Sequence, residues 1–287
     1  MKLISSILFT ISVLIAHAAE FNPNGTWQGV MIRKGTAIEA GTLFYAEFDG
    51  DAEFTSGTTR EELYDSPYYS VKSINGDIEN NDFHIRQVVE LKSKKSSRNK
   101  WCRMSADLIY DETTGYLKGT YVSSDCRRVI GEIILYRSDF VMSKGDEMEV
   151  SHIWFDQFVK DYKDGLSAPE IRKIERSNFV FQPIFFDYDK SEIRSEHEDF
   201  LDRMIKIIKG HSDLRVRVTG HTDSDGSLVY NDSLSMRRAD AIIAYFVRQG
   251  LTADRLKIVF KGEREPIDSN TTSEGKQRNR RVDFAFI

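Results

Sequence analysis

The hydrophobic period of this chain changes once, and that change most limits what it can fold into. From Glu20 to Phe140, short alternations of apolar and polar residues recur between turn signals. From Phe179 to Ile287, strand-like runs alternate with segments whose apolar residues return every three or four positions. A period of two suits strands and a period of 3.6 suits helices. Both periods in separate halves require two domains of different class. A length of 287 residues suffices for two cores and a connector. The expected order is a leader at 1–18, a β-rich domain at 20–140, a helical connector at 141–178 and an α/β domain at 179–287.

In the front half, strand runs are expected at Gly25–Ile32, Thr42–Phe48, Tyr68–Ile74, Asp82–Leu91, Trp101–Asp111, Tyr116–Ser123 and Val129–Arg137. Asn75-Gly76-Asp77 reads as a hairpin turn. About eight short strands with little helix point to a small antiparallel barrel or sandwich. The Gly25-x-Trp27 opening and the meander resemble the calycin pattern of lipocalin- and avidin-like barrels. Trp27 reads as a core plug at a barrel end rather than a ligand contact. A membrane-spanning barrel would need strands of about nine to eleven residues with a continuous apolar outer band. Charges such as Arg86, Glu90, Glu132 and Arg137 interrupt both faces here. The basic run Lys92–Lys100, KSKKSSRNK, is either a solvated hairpin tip or a surface for an anionic polymer or headgroup.

The first residues, MKLISSILFTISVLIAHAAEF, carry Lys2, an apolar run from Leu3 to Ala16 and a small-x-small site at Ala16-His17-Ala18. That pattern reads as a cleaved secretory leader. The run is shorter than the roughly 20 residues of a membrane span. No cysteine follows it, so a lipid-anchored mature form is not expected. In an exported chain, Cys102 and Cys126 read as one disulfide, with two buried thiols as the alternative. Neither the net charge of −5 nor any zinc-ligand spacing suggests nucleic acid. No metal or cofactor site, and no Ser-His-Asp, Cys-His or paired-carboxylate set, is found. An enzyme is therefore not expected.

The connector carries Val150, Ile153, Trp154, Phe158 and Tyr162 at helical spacing, closed by Gly165, and Pro169 opens a second short helix. The aromatic stripe reads as a packing face.

The rear half is organised around Gly220–Ala241, GHTDSDGSLVYNDSLSMRRADA: a strand exit, a glycine turn and the start of an amphipathic helix. Asp223 stands at the turn and Arg238 on the helix. An acid and a guanidinium held together at the end of a sheet suit a small zwitterion, since charge-assisted hydrogen bonds are worth about 1.5–3 kcal/mol each. The bland alternative is a helix cap and a solvated arginine. Phe179–Phe186, Leu214–Val218, Leu256–Phe260 and Val282–Phe286 read as strands. Ser195-Glu196-His197-Glu198 reads as a capping box before a helix, Asn231–Arg248 as a second helix and Glu274–Arg280 as a helical turn. The expected fold is a βαβαβ-type α/β sandwich with one helical layer.

The motif set resembles the OmpA-like domain, the peptidoglycan-binding module of outer-membrane proteins, peptidoglycan-associated lipoproteins and flagellar stator proteins. The matching residues are Gly220-His221-Thr222-Asp223, Gly226, Tyr230-Asn231, Leu234-Ser235 and Arg238-Ala239. Further on come Gly262-Glu263, Pro266, Asn270, Asn279-Arg280-Arg281-Val282 and Phe284; upstream lies Phe185–Ser191. The resemblance implies that Asp223 takes the ammonium, and Arg238 the carboxylate, of diaminopimelate in the peptide stem. Asn231 and Arg280 are carried over beside them. For each a second reading stays open: Asn231 organises the loop, and Arg280 pairs with a core carboxylate. Arg237 is off register. The implied protein is a non-enzymatic envelope protein of a diderm bacterium, held at peptidoglycan in the periplasm. Its β domain would serve a small ligand or an outer-membrane partner; the alternatives are a ligand carrier retained at the wall and an integral outer-membrane barrel.

Overall fold

The computed structural model describes residues 21–51, 54–79, 82–97, 100–141 and 152–287. The leader at 1–18 and the beginning of the connector lie outside the described residues. The chain divides into two compact units: one runs through Tyr110 and includes Leu117–Ile134, while the other takes Asp111–Tyr116 and Leu135–Asp139 with the residues from 152 onward.

The front half is a closed antiparallel barrel of eight strands in sequence order. These are β1 Gly25–Arg33, β2 Thr42–Gly50, β3 Phe54–Glu62, β4 Tyr69–Glu79, β5 Asp82–Lys94, β6 Met104–Asp111, β7 Tyr116–Ser123 and β8 Ile130–Arg137. Of the two architectures open to the sequence, it is the barrel. Register defines its faces. Trp27 opposes Ala46, which opposes Thr59, which opposes Lys72. Phe83 and Ile85 oppose Leu108 and Ala106. All of these are buried and face the interior. The opposite face carries Glu47, Arg86 and Asp107, all exposed.

Two expectations for the front half fail, for one reason: packing overrides local residue chemistry. β3, Phe54–Glu62, has no apolar alternation, yet it completes the barrel. Asn75-Gly76-Asp77 is not a turn, because β4 continues to Glu79. Gly76 is required there by close approach. A Cβ on it would lie 2.5 Å from the Phe83 ring on the neighbouring strand.

One end of the barrel is filled with rings. Phe21 packs on Trp27, Phe83 and Tyr110, and Phe48 packs edge-on against Phe83. Trp27 is fully buried and donates its indole N–H to the Pro23 carbonyl at 2.6 Å. Cys102, just before β6, and Cys126, in the β7–β8 loop, are joined by a disulfide at the other end.

The second unit begins with α1, Ile153–Lys163, and α2, Pro169–Asn178. The aromatic stripe of α1 is a packing face: Phe158 stacks on Tyr136 at 5.5 Å, and Tyr162 meets Tyr116 edge-on. Beyond it lies a four-stranded sheet ordered β11-β10-β12-β9. Its strands are β9 Ile184–Phe185, β10 Val216–Gly220, β11 Leu256–Phe260 and β12 Arg281–Phe286. β10 runs parallel to β11 and antiparallel to β12. Helices α3 Glu198–Gly210 and α4 Leu228–Arg248 send Leu201, Met204, Ile208, Ile242 and Phe246 onto Val216, Val218, Val282 and Phe284. A short helix α5, Ser273–Asn279, precedes β12. The strand expected over Phe179–Phe186 is only two residues long. Pro183 offers no N–H for a ladder, and Phe179 and Phe181 pack on the core without pairing. The capping box does not form either. Ser195–His197 is a 3-10 turn, and α3 starts at Glu198 with no side-chain cap.

Replacing Gly76 with Ala forces the Phe83 ring aside, so the barrel should lose about 1–3 kcal/mol. Urea unfolding of the full chain would show it, and Phe83→Leu in the same chain should recover part of the loss.

Candidate functional site

The site is built where β10 leaves the sheet. β10 is flanked on both sides, and its last residue, Gly220, pairs with Phe260 and with Val282. A Cβ on Gly220 would lie 2.0 Å from the Ser235 carbonyl oxygen of α4. Only glycine lets the helix come this close. The next two residues are pinned by neighbouring backbone. His221 N–H donates to the Arg281 carbonyl and Thr222 N–H to the Gly262 carbonyl, both at 2.9 Å. Asp223 is thus delivered at the carboxyl end of its strand, where ligands gather in α/β sheets.

α4 begins at Leu228 because the Ser227 hydroxyl accepts from the Tyr230 N–H. Its positions 231, 235 and 238 share one face at i, i+4 and i+7 spacing. That face turns toward the strand exit, and Asn231, Ser235 and Arg238 are all buried. α5 is capped by Thr272 and sets Arg280 at the entrance of β12, beside the exit of β9.

These elements bring Asp223, Asn231, Arg238 and Arg280 into one polar recess. Asp223 is 4% exposed. Its Oδ2 accepts from Arg280 Nη1 at 2.7 Å, while its Oδ1 accepts only a 3.2 Å bond from the Asp225 N–H. Asn231 donates from Nδ2 to the Asp223 carbonyl and to Glu263. Its Oδ1 is buried with no donor among the described residues.

Arg238 is 0% exposed. Its guanidinium donates to three carbonyls: Lys190 at 2.8 Å, His221 at 2.9 Å and Asp187 at 3.1 Å. It also lies over the Phe186 ring at 5.4 Å. Burial lowers its pKa to about 10, against the opposing pull of Asp223, so it stays charged near neutral pH. Asp223 is therefore near two guanidiniums but bonded to one of them. Glu263, half-buried, brings a second carboxylate to the site at Asn231, and Asp223 Oδ1 keeps lone pairs to spare.

His221 is buried, with Nε2 3.3 Å from Asp283 Oδ2. Asp225 pairs with Lys276 at 2.7 Å. Arg237, the neighbour outside the register, is exposed and rests near the Tyr230 ring. Sequence reasoning singled out no function for Ser235, for Glu263, or for the carbonyls of Asp187–Lys190. The spacing of Asn231, Ser235 and Arg238 on one helical face was the available signal for Ser235. The carbonyls had none, because backbone acceptors leave no mark in a sequence.

A model of the OmpA family matches residues 185–280, a span that contains all four site residues. The chain is 39% identical over 103 residues to outer membrane protein A of Bordetella avium, covering 36% of this chain and 53% of that protein. It is 37% identical over 100 residues to a peptidoglycan-associated lipoprotein of Pseudomonas aeruginosa, covering 35% of this chain and 59% of that one. Among solved structures, the peptidoglycan-associated lipoprotein from Burkholderia pseudomallei aligns with a TM-score of 0.36 at 23% identity, covering 37% of this chain and 90% of its own. The chain thus spans little more than half the length of these two curated relatives. The C-terminal domain is OmpA-like.

Removing one partner of a buried ion pair strands the other charge. Arg280→Ala should therefore cost about 3–5 kcal/mol of stability in the C-terminal domain. Lys276→Ala, which breaks a more exposed pair, should cost less than about 1 kcal/mol. Denaturant titration of the two variants would measure the contrast.

Proposed function

We propose that this chain is a non-enzymatic envelope protein that holds peptidoglycan noncovalently through its OmpA-like domain. The peptide stem would be gripped at the free D-centre of diaminopimelate, and the barrel would serve a separate ligand or envelope partner. The observation that carries the reading is the side-by-side placement of both charges: a buried carboxylate, Asp223, with one oxygen lightly used, beside two guanidiniums, Arg238 and Arg280. A zwitterion suits it. The ligand ammonium adds to Asp223 Oδ1, with the orphaned Asn231 Oδ1 as a second acceptor. The ligand carboxylate meets a guanidinium. Arg280 is the more reachable guanidinium, with a side chain 11% exposed. To meet Arg238 directly, the carboxylate takes the place of one of its three carbonyl acceptors on the Asp187–Lys190 loop or at His221. In this reading Asn231 both organises the loop and completes the ammonium site.

The relatives named for the outer membrane and for peptidoglycan support a place in the cell envelope. As to the barrel, a bilayer-crossing barrel turns its apolar face outward and keeps its polar face within. Here Trp27, Phe44, Phe83 and Leu108 face inward, and the outer face mixes exposed Glu47, Arg86 and Asp107 with Leu43, Tyr45 and Ile109, so charges interrupt any apolar band. We infer a water-facing barrel rather than an integral outer-membrane one.

The test is retention on purified sacculi. Asp223→Asn keeps the side-chain outline and removes the charge, and Arg238→Lys keeps the charge and removes the fork; because both disturb buried bonding, the unfolding midpoint of each variant is measured beside its retention. Asp223→Asn removes a charge-assisted contact worth about 1.5–3 kcal/mol, so retention of the folded variant on diaminopimelate-type sacculi should weaken by roughly 10- to 100-fold, and Arg238→Lys should weaken it less. Wild-type protein should bind lysine-type sacculi weakly. Equal binding to both wall types, or unchanged binding by Asp223→Asn, would sink the diaminopimelate reading.

A further inference from the structure

The barrel is closed at one end and open at the other. The ring cluster of Phe21, Trp27, Phe48, Phe83 and Tyr110 fills the first end. The second end holds a cavity of about 540 Å³. Its walls come from the ends of β1, β3 and β7, the start of β2 and the segment before β6, so every pair of loops at that end contributes. Cavities of roughly 300–1,000 Å³ suit small organic ligands.

The floor is polar but electrically neutral. Lys72, fully buried, donates from Nζ to Glu61 Oε1 at 2.6 Å and to the Cys102 carbonyl at 2.7 Å. Gln87 donates to the same Glu61 oxygen and to Thr59, and its own oxygen accepts from the Met104 N–H. The Glu61 carboxylate lines the cavity, but its charge is cancelled in contact. An ammonium ligand would gain little there and would have to compete with Lys72.

The mouth is different. Arg33 and Lys100 both line it, and neither has a carboxylate partner among the described residues, though Lys100 Nζ donates to the Asp125 carbonyl at 3.3 Å. Arg103, the third cation, is held by Asp125. Tyr121 is 5% exposed, and its hydroxyl takes no hydrogen bond among the described residues. Arg33 and Glu61 both act electrostatically on that hydroxyl, and burial raises its pKa, so it stays a neutral donor. Between floor and mouth, Met31, Leu63, Trp101 and Met104 supply apolar wall, beside Thr42, which opposes Met31.

We propose that this cavity binds a small amphipathic organic anion. Its apolar body lies against Met31, Leu63, Trp101 and Met104, and its anionic group meets Arg33 and Lys100 at the mouth, with Tyr121 donating to it. This identifies the ligand class for the barrel in the function proposed above, but it depends on no residue of the wall-binding recess.

The full chain, free of sacculi, is titrated with 1-anilinonaphthalene-8-sulfonate, and the bound dye is then competed with dodecanoate, with uncharged N-phenyl-1-naphthylamine and with dodecyltrimethylammonium. Saturable one-site binding is expected, with dodecanoate displacing the dye well below the concentration dodecyltrimethylammonium needs. Arg33→Ala should weaken the two anions about tenfold, and Arg33→Glu more, while the uncharged probe moves less than about threefold. Leu63→Trp, which fills the cavity, should weaken all probes. Sacculus retention and the unfolding midpoint of each variant report whether the chain is still folded. Absence of saturable binding by a folded wild type would overturn the proposal. So would equal competition by the cationic amphiphile, or anion affinity unchanged in folded Arg33→Glu. Loss of sacculus binding in Asp223→Asn leaves this titration untouched, so the two readings fail separately.

Discussion

The contact between Gly220 and the Ser235 carbonyl is the constraint on which the C-terminal site depends. With any side chain at 220, α4 could not lie against the end of β10, since a Cβ there would sit 2.0 Å from that oxygen. With the helix seated, three further features follow. Ser235 is small enough to be fully buried at the crossing, and its hydroxyl accepts from the Gly262 N–H, tying in the β11 exit. One helical turn before, Asn231 reaches the Asp223 carbonyl and fixes the turn. Nearly a turn after, Arg238 is carried under the same turn and bonds the His221 carbonyl. The recess is therefore a property of one helix–strand approach, and each charged group in it is held by backbone.

That holding explains how the recess can carry two arginines. An isolated buried guanidinium is costly unless its donors are met. Arg238 meets three carbonyls, and Arg280 meets the Phe186 carbonyl as well as Asp223. The dipoles of fixed carbonyls stabilise the charge without cancelling it. A recess built this way holds both guanidiniums charged in the folded protein, and the protein bears that cost during folding.

The sequence made the C-terminal site legible because it depends on side chains at fixed spacing on short elements. Glycine at a strand end, an acid three residues on, and a guanidinium fifteen residues after that acid are visible in a string of letters. The same holds for the disulfide and for most barrel strands, where alternation follows from one buried face. Legibility ended where burial and polarity part company. β3 carries Thr59, Arg60, Glu61 and Glu62, all buried. A strand with charges on its inner face has no hydrophobic period, so nothing marked it. Asn75-Gly76 is a strong turn signal by local energetics, yet Gly76 is there to make room for a ring from the next strand. The Asp187–Lys190 carbonyls are a tertiary fact with no residue type attached.

The missed strand and the barrel cavity are two sides of one feature. Glu61 lies on β3 because its carboxylate is an interior partner of Lys72 on β4 and Gln87 on β5. A barrel needing only stability would place apolar side chains at such positions, since a buried ion pair is commonly no better than a well-packed hydrophobic core. Thr59, Glu61, Lys72 and Gln87 join strands β3 to β5 below the open end, while aromatic packing fills the opposite end. Polar residues on the floor make a partly wet cavity tolerable, and the ring cluster supplies the packing that such a floor cannot. The barrel thus separates its two tasks along its axis: apolar cohesion at one end, a space with fixed hydrogen-bond groups and the cations Arg33 and Lys100 at the other. That division is the physical ground for reading the open end as a binding site rather than a packing defect.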